Sequence, residues 1–82
     1  MDLHRAKLQQ PELVADGEKA AAAAIGKRFS VQYKVGQRKE IRRGNVSRCE
    51  VAGIRQTPSR NSIIWHVWID GAYVGMVNKI PR

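Results

Sequence analysis

The residues that could do chemistry in this sequence are mainly arginines and lysines, and they are concentrated in the middle of the chain. Residues 27–60 hold ten basic residues against two acidic ones, Glu40 and Glu50, which gives this segment a net charge of +8. Residues 1–26 and 61–82 carry net charges of −1 and +1. Guanidinium and ammonium groups bind phosphate, and each phosphate that they neutralise releases counterions. The clustering therefore favours a polyanionic partner, with a merely solubilising basic surface as the alternative.

Seven basic side chains of this segment are the candidate phosphate contacts. Four of them lie in a strongly polar stretch, residues 37–45, which we interpret as a mobile loop or a twisted, solvent-facing connection. Three more follow along and beyond the next predicted strand. The seven candidates are Arg38, Lys39, Arg42, Arg43, Arg48, Arg55 and Arg60. Because phosphate contacts position a nucleic acid without reading its sequence, these residues predict affinity for DNA or RNA alike.

Side chains that could catalyse a reaction are few, and their spacing pairs none of them. His4 lies near the N-terminus and His66 in a predicted strand, and no local nucleophile accompanies either. Cys49, the single cysteine, cannot form an internal disulfide and is interpreted as a small hydrophobic residue. Two histidines and one cysteine are too few for a structural zinc site. We therefore expect no enzymatic activity, no metal and no cofactor, in a reducing compartment such as the cytoplasm.

The N-terminal third has the composition of a helix. Pro11 is tolerated at a first helical position, and the alanines from Ala20 to Ala24 have high helix propensity. Gly26 is suited to a helix C-terminus. These features predict a helical region over residues 11–26, while residues 1–10 are either a frayed extension or a short helix.

Residues 29–78 have the pattern of a small antiparallel sheet of three to four strands. Apolar and polar residues alternate in the first of them, as expected for a half-buried strand. The dipeptide Asp70-Gly71 favours a two-residue type I′ hairpin turn between the last two strands. The predicted strands are Phe29–Val35, Val46–Gln56, Ser62–Ile69 and Ala72–Asn78. The chain is therefore predicted to be a single α+β domain over residues 1–82, an N-terminal helix followed by this sheet, with a small SH3-like or OB-like barrel carrying an N-terminal helix as the alternative.

The type I′ turn also predicts the register of the last hairpin, in which Trp68 lies opposite Tyr73 and Trp65 opposite Met76. The face that carries Trp68, Tyr73 and His66 is of mixed character. Such aromatic side chains either stack on unpaired bases or fill the interior of a barrel. The predicted core comprises the apolar face of the hairpin and residues of the first two strands: Trp65, Val67, Ile69, Val74, Met76, Phe29, Val31, Val35 and Val51.

Two functions are compatible with this pattern. The first is that of a small, non-catalytic nucleic-acid-binding protein, which uses the basic region and, for single strands, Trp68 and Tyr73. The alternative is a small basic protein–protein interaction module, an inhibitor or an assembly factor, whose aromatic face binds an acidic protein. Exposed strand edges also leave homodimerisation by strand pairing open. No stretch approaches the roughly 20 apolar residues of a transmembrane helix, so no membrane contact is expected.

Overall fold

Two N-terminal helices and a four-stranded antiparallel sheet make up the chain, and the computed structural model describes all 82 residues. The elements are α1 (Leu3–Gln9), α2 (Pro11–Ala24), β1 (Arg28–Val35), β2 (Arg38–Gln56), β3 (Asn61–Ile69) and β4 (Ala72–Val77). The strands form one open sheet in the order β1-β2-β3-β4. The predicted α+β fold is confirmed, and the sheet is not closed into a barrel. Neither helix is long and apolar enough to cross a membrane.

The first ten residues contain the short helix α1. The side chain of Asp2 caps it by accepting a hydrogen bond from the amide of Arg5 at 2.8 Å. Ala6 is fully buried in the core, and the backbone of Met1 and Asp2 pairs with β2 near Gly53. A cap, a buried side chain and backbone pairing together hold this segment against the sheet.

Helix α2 packs closely on the sheet because its contact face is made of small residues. It runs without a break, with Pro11 in its first turn. The Trp65 indole nitrogen donates a hydrogen bond to the Gly17 carbonyl at 2.9 Å. A Cβ at Gly17 would lie 3.1 Å from the side chain of Ile63, so glycine permits this close approach. The helix therefore covers the half of the sheet that contains Trp65.

Strand β2 is the longest element and pairs with two different strands. Its first part, residues 38–45, pairs with β1, and its second part, residues 46–56, pairs with β3. The interpretation of residues 37–45 as a mobile loop is therefore wrong, since residues 38–45 form a hydrogen-bonded strand. Apolar and polar residues do not alternate in residues 38–45, because neither side of this part of β2 is buried except at Gly44. Charged residues therefore occupy both sides of the strand.

The core consists of two buried clusters that meet at Trp65. One lies between the helices and the second part of β2, and it contains Ala6, Val14, Val51, Ile54 and Ile63. The other lies where the sheet curls, and it contains Val31, Val46, Val67, Ile69 and Val74. Since β1 and β4 both contribute to the second cluster, the two edge strands of the sheet approach each other although no ladder joins them.

A bulge in β4 changes the predicted register of the last hairpin. Asp70 and Gly71 have φ values of 50° and 86°, as a type I′ turn requires, and Trp68 lies opposite Tyr73 as predicted. Beyond this pair Val67 lies opposite Gly75 instead of Val74, so every later residue of β4 changes face. Met76 is consequently 65% exposed rather than buried. The predicted core position of Val35 is also wrong, because β1 extends beyond the core there.

Candidate functional site

The first part of the sheet is a two-stranded ribbon, formed by β1 and residues 38–45 of β2. Gly36 and Gln37 connect its strands, and Gly36 adopts a φ of 63° that favours glycine. Phe29 and Val31 hold the base of the ribbon against the core. Its far end is exposed, and β3 does not pair with residues 38–45. The ribbon therefore presents two accessible faces.

The outer face of the ribbon, the side away from the core, carries four basic side chains and no carboxylate. Residues directly opposite each other in an antiparallel pair share a face, and Val31 marks the inner one. The outer cross-strand pairs are Arg28 with Asn45, Ser30 with Arg43, Gln32 with Ile41, and Lys34 with Lys39. All eight side chains are exposed. This face is a continuous cationic surface with an apolar residue, Ile41, near its centre.

The inner face of the ribbon is electrostatically different because it contains Glu40. The Arg38 guanidinium lies 3.7 Å from the Glu40 carboxylate, and the Tyr33 hydroxyl donates a hydrogen bond to it at 3.1 Å. Arg42, opposite Val31, lies on the same inner face. The four candidates in residues 38–43 thus do not act as one group: Lys39 and Arg43 face outward, and Arg38 and Arg42 do not.

Two basic residues of the outer face, Arg28 and Lys34, are not among the seven candidates predicted from the sequence. Lys34 occupies a polar position of the predicted strand Phe29–Val35, and Arg28 directly precedes that strand and continues its alternation. Their basic neighbours on this face are Arg43 and Lys39 of the adjacent strand, and that juxtaposition depends on the turn at Gly36. The even spacing of polar residues in β1 was therefore the available signal.

The predicted aromatic residues form a compact cluster on the outer side of the main sheet. The rings of Trp68 and Tyr73 have centroids 5.0 Å apart, and the Tyr73 hydroxyl lies 2.8 Å from Nδ1 of His66. The Arg48 guanidinium lies 4.6 Å from the centre of the Trp68 ring, a cation–π contact. Tyr73 is 51% exposed. The cluster therefore offers Tyr73 as its accessible ring, while Arg48 covers a face of Trp68.

Three of the predicted arginines lie outside the ribbon. Arg48 is paired with Glu50: the Arg48 Nε donates a hydrogen bond to the Glu50 carboxylate at 2.7 Å. Arg55 lies opposite Ser62 near the far end of β2, about 40 Å of strand path from Arg43. Arg60 belongs to the turn that follows, where its amide donates to the hydroxyl of Thr57. Arg55 and Arg60 therefore lie away from the ribbon's cations, whereas Arg48 lies closer to them along β2 and is paired with Glu50.

The ribbon and the aromatic cluster lie on the same side of the sheet. Along β2, Arg43 and Asn45 are exposed, Val46 is buried, and a bulge at Ser47 precedes Arg48, which pairs with Trp68. The hairpin turn fixes this junction, since the Asn45 amide donates to the Asp70 carboxylate at 3.2 Å. The Gly71 amide donates to the Ser47 hydroxyl at 2.9 Å. One outer surface thus includes both features.

Cys49 is half-buried on the inner side, packed against the second core cluster. Burial, together with the neighbouring Glu50 carboxylate, raises the pKa of its thiol to about 11. A thiol with this pKa is largely protonated near neutral pH and a poor nucleophile. No three His, Cys, Asp or Glu side chains lie together as a metal site would require.

Similarity to known proteins adds nothing to this description of the site. The chain matches no protein-family model, no curated protein and no solved structure.

Proposed function

We propose that this protein binds nucleic acid through the outer face of the ribbon and does not catalyse a reaction on it. The observation that supports the proposal best is the set of four exposed cations on one face without a carboxylate: Arg28, Lys34, Lys39 and Arg43. Phosphate groups along a nucleic-acid strand are the complementary surface, and counterion release drives their binding.

A local departure from the rules of strand pairing supports the same proposal. Lys34 and Lys39 lie directly opposite each other near the tip of the ribbon, and like charges in that position destabilise a strand pair. No acidic residue occupies the outer face to offset the repulsion. A bound polyanion would relieve it, so the ribbon is expected to be more stable in the complex than alone.

The first test compares two double variants of the same ribbon by fluorescence anisotropy, with a labelled 20-base-pair DNA at several salt concentrations. Lys39→Ala with Arg43→Ala removes two outer cations, whereas Arg38→Ala with Arg42→Ala removes the same charge from the inner face. The outer variant should bind more weakly, and its log–log salt slope should be smaller by about 0.9 for each of the two removed cations that contacts a phosphate. The inner variant should retain most of the affinity and the slope.

Two results would contradict the proposal. Equal losses in both variants would mean that net charge matters and the face does not. Absence of binding at low salt, with duplex DNA, single-stranded DNA and RNA alike, would exclude nucleic acid as the partner. Circular dichroism of both variants provides the folding control, because all four side chains are exposed and their removal leaves the core intact.

A protein partner is the second candidate, and one observation favours it. Tyr73 and Met76 lie on the outer side of the edge strand β4, where they are 51% and 65% exposed. Exposed aromatic and methionine side chains are enriched at protein interfaces. Poly-L-glutamate of comparable charge separates the two candidates: the nucleic-acid proposal requires the DNA to bind more tightly, and the protein-partner candidate requires the polypeptide to bind at least as well.

A further inference from the structure

The ribbon has the width of two strands and projects beyond its neighbours. β3 pairs with β2 only from Val46 onward, so no third strand is hydrogen-bonded to the ribbon, and β4 approaches it only at its base near Phe29 and Val31. The major groove of B-form DNA, about 12 Å wide, admits a two-stranded ribbon, whereas the minor groove of about 6 Å does not. The outer face can therefore approach base edges as well as phosphates.

The spacing of the outer cross-strand pairs corresponds to two base-pair steps of DNA. Side chains two residues apart on a strand are separated by about 6.8 Å, which equals two base-pair steps of about 3.4 Å. Four outer pairs, from Arg28–Asn45 to Lys34–Lys39, follow each other at this interval. A ribbon aligned with the DNA would meet every second base pair. The twist of the ribbon would limit the contact to a few base pairs.

The side chains of the middle pairs have the chemistry of base recognition. Gln32 lies opposite Ile41, so that an amide and an apolar group stand side by side. An amide can bind N6 and N7 of adenine while an apolar side chain contacts the methyl group of the paired thymine. Arg43, in the next pair, can bind O6 and N7 of guanine. The two lysines at the tip, Lys34 and Lys39, are suited to phosphates.

We infer that the ribbon binds double-stranded DNA in the major groove, with Gln32 and Ile41 at an A·T pair and the lysines on the backbone. This inference rests on the proposed function and specifies its ligand. The surface is less suited to single-stranded nucleic acid, because Arg48 covers Trp68 and leaves Tyr73 as the accessible ring for stacking on unpaired bases. Duplex RNA is excluded by geometry, since its major groove is too narrow and deep for side chains to read.

The first experiment measures the affinity of the full chain for three probes of one mixed sequence: a 20-base-pair DNA duplex, the same duplex as RNA, and one of the DNA strands. We expect the DNA duplex to bind at least about tenfold more tightly than either other probe. If none of the three binds, the proposed function itself fails. If the single strand or the RNA binds as well as duplex DNA, nucleic-acid binding stands and the major-groove inference is overturned.

The second experiment removes the thymine methyl groups from the major groove. In the duplex every thymine is replaced by uracil, which lacks only the 5-methyl group of the major groove. Loss of an apolar contact with that methyl should weaken binding about fourfold, the equivalent of one buried methyl group. Ile41→Ser should abolish this difference between the two duplexes. Met76→Ser, a change at an exposed apolar residue outside the ribbon, should retain it.

The outcomes of the second experiment are distinct from those of the first. Equal binding of the two duplexes by the unmodified protein would show that Ile41 does not meet thymine methyl groups, which overturns the proposed orientation of the ribbon. If Ile41→Ser and Met76→Ser both lose the difference in affinity between the two duplexes to the same extent, the methyl contact is not specific to the ribbon. The proposed orientation of the ribbon would then be overturned as well.

Discussion

Single residues of this protein differ in behaviour according to the side of the sheet they occupy. Cys49 lies opposite Val67 on the inner side, where apolar packing disfavours the thiolate. The adjacent Glu50 carboxylate adds repulsion. Since the pKa of the thiol is about 11 instead of 9.0, the thiolate fraction at pH 8 is about a hundredfold below that of an ordinary cysteine.

We therefore predict that iodoacetamide alkylates Cys49 slowly at pH 8 and that the rate rises with an apparent pKa near 11. In urea the same thiol should react with an ordinary pKa. Because the folded state disfavours the thiolate, the free energy of unfolding should fall between pH 9 and pH 11, and Cys49→Ala should lack this part of the decrease. A folded-state rate equal to that in urea would contradict the prediction.

The candidate site could be predicted from the sequence only where a local signal set the geometry. Trp68 and Tyr73 were paired correctly because Asp70-Gly71 fixes their relation across a two-residue turn. Arg38 and Lys39 were not separated because residues 37–45 were not predicted to form a strand, in which consecutive side chains face opposite sides; which of the two faces the core depends on the register between β1 and β2. The turn at Gly36 that sets this register carries a weaker signal than Asp-Gly.

At the scale of the elements, the bulge in β4 decides which residues reach the core. It moves Val77 to the inner side opposite Trp65 and leaves Met76 outside. Gly75 makes this possible with a φ of 121°, a conformation that side chains rarely adopt. The sequence predicted both strands of the hairpin, but an isolated glycine did not reveal the extra residue.

We predict that Gly75→Ala lowers the free energy of unfolding by about 1–3 kcal/mol, because alanine is strained at this φ. Met76→Ala, in the neighbouring position on the same strand, provides the control, since its exposed side chain contributes little. Urea denaturation followed by circular dichroism measures both. A Gly75→Ala protein as stable as the control would mean that β4 relaxes to the regular register without loss.

At the scale of the whole molecule, Trp65 connects the two halves of the core. Its side chain packs against the cluster beneath the helices and against the cluster where the sheet curls. Its indole also bonds to α2 through Gly17. A change that loosens either half therefore disturbs the contacts of the other.

We predict from this arrangement that the helices and the sheet unfold in a single transition. In a Trp68→Phe variant, Trp65 is the remaining tryptophan, so its fluorescence reports the junction of the two clusters while far-ultraviolet circular dichroism at 222 nm reports mainly the helices. The two urea curves should coincide. A helix transition at clearly lower urea than the fluorescence transition would show that α1 and α2 detach independently.

The unpaired end of the ribbon makes its length an adjustable property of the fold. Two residues added to each strand beside Gly36 would extend the outer face by one further pair and leave the packing around Phe29 and Val31 unchanged. An odd insertion in β2 alone would instead exchange the faces beyond it, because side chains alternate with a period of two. Variation in ribbon length among proteins of this architecture would therefore be tolerated in paired steps, and each step would lengthen the contact with a partner by about 6.8 Å.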